Sequence, residues 1–126
     1  MNFYTIKYEN DKLTLLDQTR LPKDEIYIEL ETVEDVWDAI KTLKVRGAPA
    51  IGVCAAYGLV IAYRGGMDLQ KACDYLASSR PTAVNLFYAI DRMKRRYEEV
   101  KGNTENGEDI LKALIKEADA IFKEDV

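Results

Sequence analysis

The stretch that decides the fold is VRGAPAIGVCAAYGLVIAY, residues 45–63. It carries one charge, Arg46, and then no charge from Pro49 to Tyr63, in a chain in which 32% of the residues are charged. The segment is too short to cross a membrane, which takes on the order of 20 apolar residues. A helix that is apolar on every side is normally a buried helix. Residues 49–63 are therefore predicted to form the central helix of a bundle.

The segments on either side of this helix predict an α+β fold. Upstream, residues 3–9 and 12–18 are rich in β-branched and aromatic residues and flank Asn10-Asp11, a hairpin signal, and residues 26–30 predict a third strand. From Thr32 onward helical periodicity dominates, and Thr32 with Asp35 predicts a capping box at the first helix. The prediction is a small antiparallel sheet of about three strands, followed by a bundle of about five helices. We expect residues 1–126 to form a single domain.

Composition argues against several classes of function. The formal net charge of -4 gives no reason to expect nucleic-acid or anionic-membrane binding. The chain has no histidine, the commonest general base and metal ligand, and we expect no metal site. Cys54 and Cys73 lie in apolar helical patterns without metal-type spacing, which indicates two buried thiols and a cytoplasmic setting.

The basic run at residues 91–101 is interpreted as a solvated helix face, with Arg95 opposite Glu99 at i,i+4 spacing.

The start of the central helix has the features of an anion site. Pro49 suits the first helical position, because its missing N–H would have no intrahelical partner. Ala48 is then the predicted N-cap, and it offers no oxygen to the free amides that follow. Such amides attract anions, and Gly47 lets a ligand approach the backbone. Arg46 adds a planar fork suited to phosphate.

A second helix start, SSRPTAVNL at residues 78–86, repeats this pattern. Arg80 directly precedes Pro81, which is predicted to open a helix. If Arg80 is the N-cap, this start also lacks a capping oxygen; if Ser79 is the cap, it does not. Two arginines at two such starts would converge on one ligand with one or two negative charges. The alternative is that Arg46 and Arg80 pair with surface carboxylates, and the residues alone do not separate the two interpretations.

Three separated motifs resemble a known family. LLDQTRLP (15–22), VRGAPAIGVCAAYG (45–58) and SRPTAVNLFYAIDRM (79–93) closely resemble, in this order, the N-terminal signatures of methylthioribose-1-phosphate isomerase. The resemblance covers essentially the whole chain. The superfamily also includes ribose-1,5-bisphosphate isomerase and regulatory subunits of the eukaryotic initiation-factor guanine-nucleotide exchange factor.

The resemblance implies an activity and a set of site residues. The activity is the conversion of the aldose 5-methylthioribose 1-phosphate to the ketose 5-methylthioribulose 1-phosphate in methionine salvage, without metal or organic cofactor. The implied substrate-binding residues are Arg46, Gly47, Ala48 and Arg80, the positions already indicated as an anion site. In this family the catalytic cysteine and aspartate lie in a larger C-terminal α/β domain. We therefore expect the chain to be the N-terminal substrate-binding domain, with no catalytic residue of its own and no activity alone.

Two other functions and several partners follow from the same observations. The chain would otherwise be a stand-alone module that senses a sugar phosphate or nucleotide, or a structural helical domain that docks on a partner. As an isomerase domain, its expected partners are the phosphorylated sugar and the C-terminal domain, supplied in cis or in trans. A domain separated from its partner exposes apolar surface, so we also expect self-association.

Overall fold

The computed structural model describes residues 6–9, 11–42, 44–45 and 48–125. Within these ranges a three-stranded antiparallel sheet is followed by five α-helices, which confirms the predicted α+β architecture. The strands are β1 (Ile6–Glu9), β2 (Lys12–Leu16) and β3 (Tyr27–Leu30), and a 3-10 turn (Gln18–Arg20) follows β2. The helices are α1 (Val33–Lys41), α2 (Ala48–Arg64), α3 (Leu69–Ala77), α4 (Val84–Lys101) and α5 (Gly107–Asp125).

The sheet has the order β1-β2-β3, and its first two strands form a tight hairpin. Glu9 pairs with Lys12, and Asp11 in the turn has a φ of 65°, a left-handed conformation that is common in two-residue hairpin turns and that Asp tolerates. Asn10 and the start of the first predicted strand lie outside the described residues. Tyr8 stacks on Tyr57 of α2 with ring centroids 4.8 Å apart, which fixes the sheet against the bundle.

The capping box at the start of α1 forms as predicted. The Asp35 amide donates to Thr32 Oγ1 at 3.1 Å, and the Thr32 amide donates to Asp35 Oδ2 at 3.3 Å. The helix buries one apolar face. The buried residues of α1 are Val33, Val36, Ala39 and Ile40.

The uncharged helix is the centre of the bundle. Every residue from Ile51 to Ala62 is buried, and α2 contacts β1 and all four other helices. Gly58 explains one close contact, because a Cβ at this position would lie 2.8 Å from Val36 Cγ1 of α1. Among the described residues, no helix is both long enough and apolar enough to cross a membrane. The prediction of a buried central helix is confirmed, with α2 one residue longer at each end than predicted.

Helices α2 and α4 run parallel, side by side. Near the start of both helices, Gly52 faces Asn85 and Ala89. Near their other ends, the rings of Tyr63 and Tyr97 meet edge to face with centroids 5.9 Å apart. Because early residues contact early residues and late residues contact late ones, both helices begin at the same end of the bundle.

Helix α5 runs in the opposite direction and returns to that end. Its first residue, Gly107, lies beside Tyr63, and Asp119 near its other end accepts a 2.6 Å hydrogen bond from the Tyr57 hydroxyl. Arg92 of α4 forms two 2.7 Å hydrogen bonds with the carboxylate of Glu124. The end of α5 therefore lies beside the first half of α4.

The basic run on α4 pairs differently from the prediction. Arg95 forms its ion pair with Asp91, at 3.0 Å, and not with Glu99. Both partners are at i,i+4 spacing, but side chains in a helix point toward its N-terminus, so an arginine reaches an acidic residue in the preceding turn more readily than one in the following turn. Arg92 binds Glu117 and Glu124 across the α4–α5 contact. The run is thus a helix face held by ion pairs, as expected, but with different partners.

Candidate anion site at two helix starts

The start of α4 differs from the sequence prediction. The helix begins at Val84, and Pro81 lies in a turn before it, closed by the Ala83 amide, which donates to the Arg80 carbonyl at 3.0 Å. Pro81 occupies the second position of this turn, where its fixed φ is favoured. Neither Arg80 nor Ser79 is the N-cap. That residue is Ala83, and no side chain caps the helix.

Arg80 has no side-chain partner among the described residues. Its side chain is half-buried and forms no hydrogen bond or ion pair with any described residue. The neighbouring Ser79 is buried, and its hydroxyl donates to the Leu76 carbonyl at 2.6 Å, so it turns back toward α3. Arg80 thus lies in the turn before the uncapped start of α4, and its guanidinium has no carboxylate partner among the described residues.

The start of α2 is described only in part. Arg46 and Gly47 lie outside the described residues, and for Ala48 the structure describes the backbone but not the side chain. Ala48 is the first helical residue of α2, and not the N-cap as predicted. Pro49 follows in the first turn, where a helix needs no N–H from it. The helix thus begins one residue earlier than expected, a difference common at helix ends.

The two helix starts are adjacent. A Cβ on Gly52 would lie 3.0 Å from the main-chain oxygen of Asn85, so Gly52, the fifth residue of α2, directly contacts the first turn of α4. Because the helices are parallel, the positive ends of both macrodipoles lie at this end of the bundle. The fold therefore brings Ala48 and the turn that carries Arg80 to one end of two neighbouring helices.

The LLDQTRLP motif, residues 15–22, packs against the chain just before Arg46. The Gln18 amide donates to the Lys44 carbonyl at 3.0 Å. Asp17, which is buried, accepts hydrogen bonds from the Thr19 amide and hydroxyl at 2.9 and 2.6 Å. Burial alone raises the pKa of Asp17, but the bonds from Thr19 and the charges of Lys44 and Arg20 outweigh burial and lower it.

Sequence reasoning missed this role of Asp17. It assigned Asp17 and Gln18 to the end of a strand, whereas Asp17 caps the 3-10 turn that begins at Gln18. The available signal was the Asp-x-Thr spacing at the end of an apolar run, which is typical of an Asx turn. The turn donates a backbone hydrogen bond to Lys44, which lies two residues before Arg46 in the sequence.

The two thiols are packing residues. Cys54 and Cys73 are free and buried. Burial raises the pKa of Cys54 to about 12 and that of Cys73 to about 11. Because the thiolate is the nucleophile, burial and the raised pKa values disfavour a nucleophilic role for both side chains.

The arrangement can bind an anion, but it does not itself supply proton transfer. Free helix amides and a guanidinium donate hydrogen bonds to a phosphate. Arginine keeps its proton in proteins, so it is not a general base, and backbone amides do not titrate. The described part of the site thus offers hydrogen-bond donors for an anion.

An exposed apolar patch adjoins the site. It consists of Val84, Phe87 and Tyr88 on the first two turns of α4, whose exposed fractions are 78%, 42% and 55%. Exposed apolar residues that cluster in this way commonly mark a surface that another protein or domain covers.

Proteins named for two sugar-phosphate isomerase activities are similar to this chain in sequence. It is 50% identical to methylthioribose-1-phosphate isomerase 2 of Pseudothermotoga lettingae, across 98% of this chain and 37% of that protein. It is 44% identical to 5-deoxyribose 1-phosphate isomerase of Petrotoga mobilis, across 91% of this chain and 35% of that protein. The chain thus spans somewhat more than a third of the length of these curated relatives.

Solved structures show the same fold. The crystal structure of translation initiation factor eIF-2B, subunit delta, from A. fulgidus matches with a TM-score of 0.87 at 38% identity, over 98% of this chain and 37% of that one. The structure of 5-methylthioribose 1-phosphate isomerase from Pyrococcus horikoshii OT3 matches with a TM-score of 0.85 at 35% identity, over 95% and 36%. A model of the initiation factor 2 subunit family matches residues 44–126, which include α2 through α5. The chain therefore belongs to the initiation factor 2 subunit family.

Proposed function

We propose that the chain is the N-terminal, substrate-binding domain of an aldose–ketose isomerase. The reaction is the conversion of 5-methylthioribose 1-phosphate to 5-methylthioribulose 1-phosphate in methionine salvage. The observation that carries the proposal is the contact between two parallel helices whose starts bear the RGA motif and Arg80. The similarity to methylthioribose-1-phosphate isomerases supports the choice of substrate.

In this proposal the domain holds the phosphate as a handle. Arg46, Gly47 and Ala48 contribute a guanidinium and backbone amides from the start of α2, and Arg80 contributes a second guanidinium. An aldose–ketose conversion moves hydrogen between adjacent carbons of the sugar. Binding energy from the phosphate, which does not react, then positions those carbons for the chemistry.

The chemistry itself belongs to the remaining part of the enzyme. The relatives are more than twice as long as this chain, and the proposal assigns their catalytic cysteine and aspartate to a C-terminal α/β domain. Cys54 and Cys73 do not replace that cysteine, because both are buried with raised pKa values. The proposed reaction uses no metal or organic cofactor, and the free thiols fit the cytoplasm as its compartment.

The apolar patch of Val84, Phe87 and Tyr88 is the proposed docking face for that C-terminal domain. It lies on the turns of α4 that follow Arg80, so a domain covering it would also enclose the ligand. The end of α5 lies beside the same half of α4 through the Arg92–Glu124 pair, so polypeptide following α5 would begin close to the patch.

Without the second domain, the patch should cause self-association. We expect sedimentation equilibrium to show association of the 126-residue chain at high concentration, and Phe87→Ser to reduce it. Leu21→Ser is a matched control, because Leu21 is 39% exposed, close to the 42% of Phe87, but lies in the turn region before β3. A strictly monomeric wild-type chain, or equal effects of the two variants, would contradict this assignment.

Substrate preference tests the proposed function. We define the completed enzyme as this chain joined to the part of the Pseudothermotoga lettingae relative that lies outside the matched region. We expect kcat/KM for 5-methylthioribose 1-phosphate to exceed that for 5-deoxyribose 1-phosphate and for ribose 1,5-bisphosphate. A preference for 5-deoxyribose 1-phosphate would assign the domain to the other isomerase activity named among its relatives.

A second candidate function is a regulatory module that senses a sugar phosphate or nucleotide. The structural similarity to eIF-2B subunit delta favours it over a purely structural role. A completed enzyme that isomerises none of the three sugars, combined with tight nucleotide binding by this chain, would support the regulatory function and overturn the isomerase.

A further inference from the structure

We propose that Gly52 is a positioning residue for the anion site, because its missing side chain sets the distance between the starts of α2 and α4. This inference rests on the proposed function, in which both helix starts bind one phosphate. Gly52 does not touch the ligand in this account. It acts through the backbone of α4.

The space at Gly52 is closed by the main chain of Asn85 and by the Cβ of Ala89. A Cβ built there would lie 3.0 Å from the carbonyl oxygen of Asn85 and 3.5 Å from Ala89 Cβ. A side chain in the way would rotate aside, but a carbonyl in the first turn of a helix moves only with that turn. An alanine at position 52 therefore shifts the start of α4 away from α2 by a few tenths of an ångström.

The part of α4 that would move is the part assigned to the ligand. Asn85 is the second residue of α4, and its amide is one of those that have no carbonyl partner within the helix. Ala83 supplies no capping side chain, so these amides are open to an anion. Hydrogen bonds depend steeply on distance and angle, and small misplacements of binding groups are costly.

Gly58 offers a matched control on the same helix. A Cβ there would also be crowded, 2.8 Å from Val36 Cγ1 and 3.1 Å from Leu76 Cδ1. These atoms belong to α1 and α3, and not to α4. Alanine at Gly58 thus strains the core without displacing the start of α4, whereas alanine at Gly52 does displace it.

The test is a titration of the 126-residue chain with inorganic phosphate at constant ionic strength, followed by amide chemical shifts. In the wild-type chain we expect saturable shifts at Val84 and Asn85. Gly52→Ala should raise the phosphate Kd by about fivefold or more, because both helix starts no longer reach one anion. Gly58→Ala should leave the Kd within about twofold, although both variants lower the melting temperature.

Each outcome decides whether Gly52 positions the anion site or only packs the core. Equal affinity in Gly52→Ala and the wild-type chain, or an equal loss in both variants, would overturn the positioning role and leave the proposed function standing. Absence of saturable shifts in the wild-type chain would overturn both. If Gly52→Ala does not fold, Ala89→Val places added bulk at the same contact, and an unchanged Kd in this variant would overturn the proposal.

Discussion

The isolated 126-residue chain is expected to produce no 5-methylthioribulose 1-phosphate from 5-methylthioribose 1-phosphate above the uncatalysed rate. The described part of the site supplies hydrogen-bond donors, and the proposal assigns the acid–base groups to the remaining part of the enzyme. Both thiols have raised pKa values, to about 12 for Cys54 and about 11 for Cys73. Since isomerases gain much of their rate from general acid–base catalysis, its loss should abolish turnover.

The assay needs a positive control from the same preparation. The completed enzyme, purified in parallel and assayed by NMR for ketose formation, should be active at substrate concentrations where the short chain is not. Turnover by the short chain that persists through further purification and is lost in Arg80→Ala would contradict the account, because the activity would then belong to this chain alone.

Arg80→Ala in the completed enzyme is expected to lower kcat/KM by roughly 10- to 100-fold. A hydrogen bond to a charged group contributes about 1.5–3 kcal/mol, and about 1.4 kcal/mol corresponds to a factor of ten. Stability of the short chain should change by no more than about 0.5 kcal/mol, because Arg80 has no hydrogen-bond or ion-pair partner among the described residues. Arg46→Ala should also lower the kcat/KM of the completed enzyme. Arg80→Lys should restore part of the activity, since a point charge does not reproduce the planar fork.

Arg95→Ala is the control for this prediction. Arg95 lies on α4 as well, but it is exposed and paired with Asp91 one turn earlier, away from the helix start. Its removal should leave kcat/KM unchanged. If thermal melts show that Arg80→Ala strongly destabilises the short chain while the kinetics of the completed enzyme stay unaffected, Arg80 is a structural residue.

Local features were predictable because their causes lie within a few residues of sequence. The absence of charge from Pro49 to Tyr63 predicts a buried helix, since few surroundings other than a core tolerate it. Thr32 and Asp35 satisfy each other's amides at a spacing that the sequence displays directly. The start of α4 was predicted three residues early, because Pro81 is as well suited to the second position of a turn as to the first turn of a helix.

Contacts between distant residues were not predictable in this way. The hydrogen bond from Gln18 to Lys44 and the pairing of Arg92 with Glu124 depend on how elements pack, and no periodicity within one element encodes them. The parallel contact of α2 and α4 is of the same kind. The sequence predicted two helix starts that converge on one ligand, but it did not identify the residues in contact between them, and Gly52 identifies that contact only once Asn85 is seen beside it.

The central claim is that the starts of α2 and α4 form one phosphate-binding site, and amide chemical shifts on titration with 5-methylthioribose 1-phosphate test it most directly. The account predicts that the largest saturable changes fall on the first turns of α2 and α4 in the same concentration range, with weak affinity because the second domain is missing. It is contradicted if the changes fall in the polar cleft at Arg95 and Arg96, or in the groove beside Tyr63 and Met67, while both helix starts stay unchanged.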